Sequence, residues 1–118
     1  MIVKSYKDLI IWKRSMDLVV SIYRITEDFP SKESFGLISQ MRRASVSIPS
    51  NIAEGYGRQS TGSYAQFLSI ARGSLFELET QIEICIRLNY FKKIESVNLL
   101  AEIIEISKMI SSIISKLH

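Results

Sequence analysis

Leu99, Ile103, Ile106, Ile110, Ile113 and Leu117 are spaced four, three, four, three and four residues apart. Only an α-helix brings such positions onto one face; in a strand they would scatter over both. β-branched isoleucine is a weak helix former, but here the period decides. The same spacing recurs in Tyr64, Leu68, Ala71, Leu75, Leu78, Ile82 and Cys85, and in Leu37, Met41, Ala44, Ile48, Asn51 and Gly55. It appears once more in Leu9, Trp12, Met16, Val19 and Tyr23, beside a second stripe of Ile11, Leu18, Ile22 and Ile25. Four amphipathic segments with short connections predict an all-α fold: an antiparallel four-helix bundle running up-down-up-down, one domain over 1-118. The scarcity of turn formers (Gly 5, Pro 2) argues against an all-β alternative.

Boundary signals refine the segments. Ser5 with Asp8 resembles a capping box before the first helix, and "DFPS" stops that helix near Glu27. Ser63 and Gln66 form a capping pair for the third, and Asn89 is a plausible left-handed residue ending it. The second segment contains Pro49, whose ring clashes with the carbonyl of Ser45 and leaves it without its usual donor. The stripe continues through the proline, which favours one helix from about Lys32 to about Tyr56, kinked at Pro49, over a helix ending at Ile48 followed by a short one. Gly55 and Gly57 are expected to end it.

Polar residues interrupt the apolar faces. Gln40, Ser47 and Glu54 line one edge of the second helix, with Arg43 beside them; Arg72, Glu79 and Glu83 form one row on the third helix, Ser74, Glu77 and Gln81 another. Solvated edges account for most such rows. Asn51, on the apolar stripe itself, needs partners, because an unpaired buried amide costs ~1–3 kcal/mol. The carbonyl freed by Pro49 is one candidate, and a carboxylate or arginine of the third helix is another. Pairing of Arg43 or Arg72 with Glu54 or Glu79 would be structural.

The stretches "FPSKESFGLISQMRRASVSIPSNIAEGYGR" and "YAQFLSIARGSLFELETQIEI", with the opening "YKDLIIWKRSMDL", resemble the bacterial four-helix bundle proteins encoded in 23S rRNA intervening sequences, once labelled as a small-subunit ribosomal protein. The likeness covers essentially the whole chain, and "SIPSNIAEG" is its most specific part. Gln40, Arg43, Ser47, Pro49, Asn51, Glu54, Gly55, Arg72, Gly73, Ser74, Glu77 and Glu79 carry the motif. Asn89 departs from the family's usual glycine but tolerates the same backbone. The resemblance implies a ring-like homopentamer. It also implies kinship with the accessory variability determinant of diversity-generating retroelements, a basic pentameric bundle that associates with a reverse transcriptase and nucleic acid. No activity is implied for the rRNA-encoded branch itself.

The inventory of side chains speaks against an enzyme. His118 is the only histidine and stands at the chain's end, so neither a Ser–His nor a Cys–His pair is available. The recurring glutamates lack the Glu-x-x-His pairs of di-iron bundles, and a carboxylate-only Mg²⁺ or Ca²⁺ site is a weak alternative. "GYGRQSTG" follows no strand and has no closing Gly-Lys-Ser/Thr, so it is not a phosphate loop. No cofactor or metal is expected. Cys85, the one cysteine, reads as a buried thiol in a reducing compartment. With no signal peptide and no apolar run near the ~18 residues of a membrane span, a cytoplasmic location is expected.

Net charge is +3, and the pI of 9.1 is mildly basic. Lys4, Lys7, Lys13 and Arg14 cluster at the start of the first helix; Arg42, Arg43 and Arg58 flank the motif; Arg87, Lys92 and Lys93 surround the last loop. Repeated around a symmetric ring, these clusters would attract a polyanion, so RNA or an RNA–DNA hybrid is the expected partner. Arg43 is set apart as structural, and Lys13 and Arg14 as free to bind. The competing reading is an adaptor that binds another protein, and Trp12, Leu18, Phe35 and Ile38 supply surplus apolar surface for an interface.

Overall fold

The computed structural model describes residues 3–118. Its four α-helices are α1 Ile10–Thr26, α2 Leu37–Gly57, α3 Thr61–Arg87 and α4 Lys93–Leu117, with no strand among the described residues. Each helix packs against its sequence neighbours, α1 closes the ring against α4, and the backbones of the diagonal pairs stay farther apart. The result is the expected up-down-up-down bundle, 43 × 24 × 23 Å in extent. Among the described residues no helix is long and apolar enough to cross a membrane.

The capping box forms as expected: the Ser5 hydroxyl accepts from the Lys7 amide, and the Asp8 carboxylate accepts from the Ser5 amide. It closes a single 3₁₀ turn, Tyr6–Asp8, immediately before α1. The face that α1 buries is the second of its two stripes. Ile11, Leu18 and Ile22 enter the core, whereas Met16 and Tyr23 are exposed and Trp12 and Val19 half-buried. Two hydroxyls go into the core with that stripe. Ser15 donates to the Ile11 carbonyl and Thr26 to the Ile22 carbonyl, so both are buried without an unmet hydrogen bond.

α2 passes through Pro49 without interruption. It starts later than expected, because a 3₁₀ turn at Ser31–Glu33 precedes it. Its end is not made by glycine: Gly55 and Gly57 keep negative φ, and Gln59 (φ 61°) takes the left-handed position. That turn leaves Ser60 extended, and its hydroxyl accepts from the Ser63 amide, so Ser60 caps α3 in place of the expected Ser63–Gln66 pair. At the other end Asn89 is left-handed (φ 61°) as anticipated. The Tyr90 amide reaches the Cys85 carbonyl and the Asn89 amide the Ile86 carbonyl, which is a Schellman closure.

The core fills from all four helices, through Met41, Ile48 and Ile52, Leu68, Leu75, Leu78 and Ile82, and Leu99, Ile103, Ile106 and Ile110. One end is sealed where the two distant loops meet: the Phe29 ring packs tilted against Tyr90 at 5.4 Å and edge-on against Phe91 at 5.3 Å, and the Tyr90 hydroxyl donates to Glu33.

Candidate nucleic-acid interface

The two polar rows of the central motif meet across α2 and α3. Ser47 Oγ lies 2.9 Å from Ser74 Oγ, and the Asn51 amide donates to both the carbonyl and the hydroxyl of Ser47. Half-buried Asn51 is therefore satisfied one turn back on its own helix and linked to α3 through Ser47. Neither the Ser45 carbonyl nor a charged residue of α3 supplies its partner. Two turns beyond Ser74 the seam continues with buried Gln81, whose amide donates to Glu77. Glu54 faces outward and pairs with Arg58 at 2.7 Å, four residues on. Arg72 ties α3 to α4 through Ser111. Arg43 is exposed, Glu79 is half-buried, and neither has a side-chain hydrogen bond or ion pair among the described residues. The anticipated pairing of Arg43 or Arg72 with Glu54 or Glu79 does not form. Gly73, exposed in the middle of α3, has open space where a side chain would stand.

The basic candidates divide into tethered and free. Arg14 donates from Nε and Nη2 to the two carboxylate oxygens of Glu102, both at 2.8 Å, and Nη1 lies against the Met109 sulfur. The hydrogen bond to Glu102 holds the guanidinium above its ordinary pKa, and partial burial opposes this only in part. Arg14 is thus a clamp between α1 and α4. Its assignment as a free cation is corrected, because its partner is on the facing helix. Arg42 donates to Thr26 Oγ1 and to the Tyr23 carbonyl and lies over the Tyr23 ring. Arg58 and Arg87 each pair with a glutamate one turn away, Glu54 and Glu83. Lys4, Lys7, Lys13, Lys92 and Lys93 are exposed and without an ion pair among the described residues.

Antiparallel order sorts these groups by end. Lys4, Lys7, Lys13 and Arg58 stand where α1 begins and α2 finishes; Arg42, Arg43, Arg87, Lys92 and Lys93 stand where α2 begins and α3 finishes. Arg42 and Arg58, which flank the motif in sequence, are therefore at opposite ends. Arg43, read from the sequence as structural, is one of the free cations. With Arg42 it lines a depression on the α1–α2 seam. Further along that seam a groove between Trp12, Met16 and Val19 of α1 and Val46, Pro49 and Ala53 of α2 is apolar. Of the four residues expected to supply surplus apolar surface, Leu18 and Ile38 are buried and Trp12 half-buried, while Phe35 is fully exposed.

Residues 7–112, from the 3₁₀ turn through most of α4, match the family described as 23S rRNA-intervening sequence protein. The chain belongs to that family. Its fold is similar to a crystal structure from Bacteroides thetaiotaomicron described as a protein with unknown function from the S23 ribosomal protein family. The two share 26% identity with a TM-score of 0.83, over 90% of this chain and 96% of the other. No curated protein matches the sequence. In this member of the intervening-sequence family, the matched region contains both halves of the Ser47–Ser74 contact and the Arg14–Glu102 clamp.

Proposed function

We propose that the protein is a non-catalytic, self-associating bundle that holds nucleic acid by its phosphate backbone. The observation that carries this reading is the set of exposed, unpaired cations at the two ends: Lys4, Lys7 and Lys13 at one, Arg43, Lys92 and Lys93 at the other. Neutralising backbone phosphates with such groups releases counterions and needs no base contact, so sequence preference should be slight. The non-catalytic part is supported by Cys85, whose burial pushes its thiol up to about 11, so that it is no thiolate nucleophile at neutral pH.

Binding of duplex RNA, an RNA–DNA hybrid and single-stranded RNA, followed by fluorescence anisotropy at several salt concentrations, tests the proposal. Affinity should fall linearly on a log–log salt plot for all three probes. Absence of binding even at low salt would overturn it.

A second reading, assembly with protein partners only, draws on fully exposed Phe35 and the apolar groove on the α1–α2 seam. The homopentamer implied by the resemblance is the simplest form of such assembly, and a reverse transcriptase is the partner that the retroelement kinship would supply. Light scattering at micromolar protein concentration tests self-association; a monomer mass would remove both the ring and the multiplication of charge it would bring.

A further inference from the structure

The depression on the α1–α2 seam is lined by Tyr23, Ser34, Ser39, Arg42 and Arg43 over an apolar floor of Ile38 and Val46. No carboxylate lines it. Glu33, close by in sequence, is engaged elsewhere: one carboxylate oxygen accepts from the Tyr90 hydroxyl at 2.9 Å and the other faces the Leu37 amide. Among the described residues neither Arg42 nor Arg43 has a carboxylate within ion-pair distance.

Arg42 is already fixed. Nε donates to Thr26 Oγ1 at 3.0 Å, Nη2 donates to the Tyr23 carbonyl at 3.2 Å, and the guanidinium carbon stands 4.6 Å from the centre of the Tyr23 ring. A guanidinium has five N–H donors, so three of Arg42's remain unused. Much of the cost of ordering a long side chain for binding is thus met by the fold itself. Arg43 adds a second guanidinium with no partner among the described residues, and the Ser39 hydroxyl makes no side-chain hydrogen bond there either.

We propose that this depression is a discrete site for one phosphoryl group, with Arg42 as its fixed donor and Arg43 as its mobile one. Two guanidiniums match the double charge and three terminal oxygens of a phosphate monoester better than the single charge of a carboxylate. Ile38 and Val46 give the organic part of the ester an apolar surface to lie against. The site goes beyond phosphate-backbone binding, which needs no discrete pocket.

The test is a titration of the ¹⁵N-labelled protein with inorganic phosphate, at ionic strength held constant with chloride. Saturable shifts centred on the amides of Ser39, Arg42 and Arg43 are expected. Arg43→Gln, at an exposed position, should keep the fold by circular dichroism and weaken binding at least tenfold, whereas Lys108→Gln on α4 should leave it unchanged. In a second arm, a short RNA carrying a 5′-phosphate should compete with inorganic phosphate, and its 5′-hydroxyl counterpart should compete at least tenfold less well. No saturable shift, or equal affinity in wild type and Arg43→Gln, overturns the site. If long RNA still bound in a salt-dependent way, the backbone reading would survive that loss. Phosphate binding at these amides without any RNA binding would uphold the site and remove the backbone reading.

Discussion

A Cβ placed on Gly55 of α2 would stand 2.6 Å from the Cβ of Phe67 on α3 and 3.3 Å from the Tyr64 ring. The two helices approach this closely because position 55 has no side chain. Beside the contact, Tyr56 and Tyr64 pack edge to face at 5.9 Å. Gly55→Ala must push backbone and ring apart, and overpacking of this kind costs ~1–3 kcal/mol. Gly73 is the opposite case, exposed in a helix interior with nothing within 4 Å. Gly73→Ala should add roughly 0.5–1 kcal/mol by removing backbone freedom from the unfolded chain. Urea denaturation of the two variants should show shifts of opposite sign; a loss of stability in both would mean that Gly73 faces a neighbour.

The Asn51–Ser47–Ser74 link predicts a graded series. Asn51→Ala removes a second donor from the Ser47 carbonyl and one from its hydroxyl, leaving the helical backbone bond and Ser74 in place, and should cost about 1–2 kcal/mol. Ser74→Ala leaves Ser47 still bonded to Asn51, so roughly 0.5–1 kcal/mol is expected. Glu54→Ala breaks only a solvent-exposed pair with Arg58, worth less than about 0.5 kcal/mol. Equal denaturation midpoints for Asn51→Ala and Glu54→Ala would show that water replaces the Asn51 amide at Ser47 without loss.

The legibility of the chain follows its degeneracies. α3 and α4 each carry one dominant apolar stripe, and most of the residues it names enter the core: Leu68, Leu75, Leu78 and Ile82, and Leu99, Ile103, Ile106 and Ile110. In the last turns of α4 the register departs, Ile114 being buried and Ile113 and Leu117 half-buried. α1 offers two adjacent stripes, and periodicity alone does not choose between them; the buried one carries Ser15 and Thr26, whose hydroxyls bond to carbonyls of the same helix. The roles of the arginines are hidden for a different reason. Arg14 is structural because Glu102 faces it from the adjacent helix α4, 88 positions away, and Arg43 is free because none does. Charge spacing along one helix reports pairs such as Arg58–Glu54, but not partners brought together only by the closing of the bundle.

The Arg14–Glu102 clamp should couple α1 to α4. Both side chains are about one-third exposed (33% and 34%), so solvent screens the pair, but its two-pronged geometry favours it over ordinary surface bridges. A double-mutant cycle with Arg14→Gln and Glu102→Gln should give a coupling of ~0.5–1 kcal/mol that shrinks with added salt. Arg14→Glu should destabilise by setting two carboxylates against each other, and adding Glu102→Arg should restore stability. Failure of the reversed pair to rescue would mean that Arg14 acts chiefly through its contact with Met109.

Cys85 gives the chain a defined alkaline weakness. Its thiol is fully buried and donates to the Met41 sulfur at 3.6 Å. Burial, assisted by the negative charge of Glu33, pushes it from an ordinary 9.0 up to about 11. Because the folded state binds this proton more tightly than the unfolded chain, the thiol's contribution is complete below pH 9.0 and is lost as pH rises towards about 11. That contribution is at most ~2–3 kcal/mol. Tyr64, raised mainly by burial, and Tyr90, raised mainly by its hydrogen bond to Glu33, act in the same direction in the upper part of that window. Isolating the cysteine therefore requires a difference measurement. Cys85→Ala lowers stability at neutral pH by opening a small cavity, a cost that does not titrate. The gap in unfolding free energy between wild type and Cys85→Ala should narrow steadily between pH 9 and 11, and parallel pH profiles would place the thiol in contact with water. Iodoacetamide offers an independent check at about pH 8: the folded protein should resist alkylation, and one equivalent should react once denaturant opens the core.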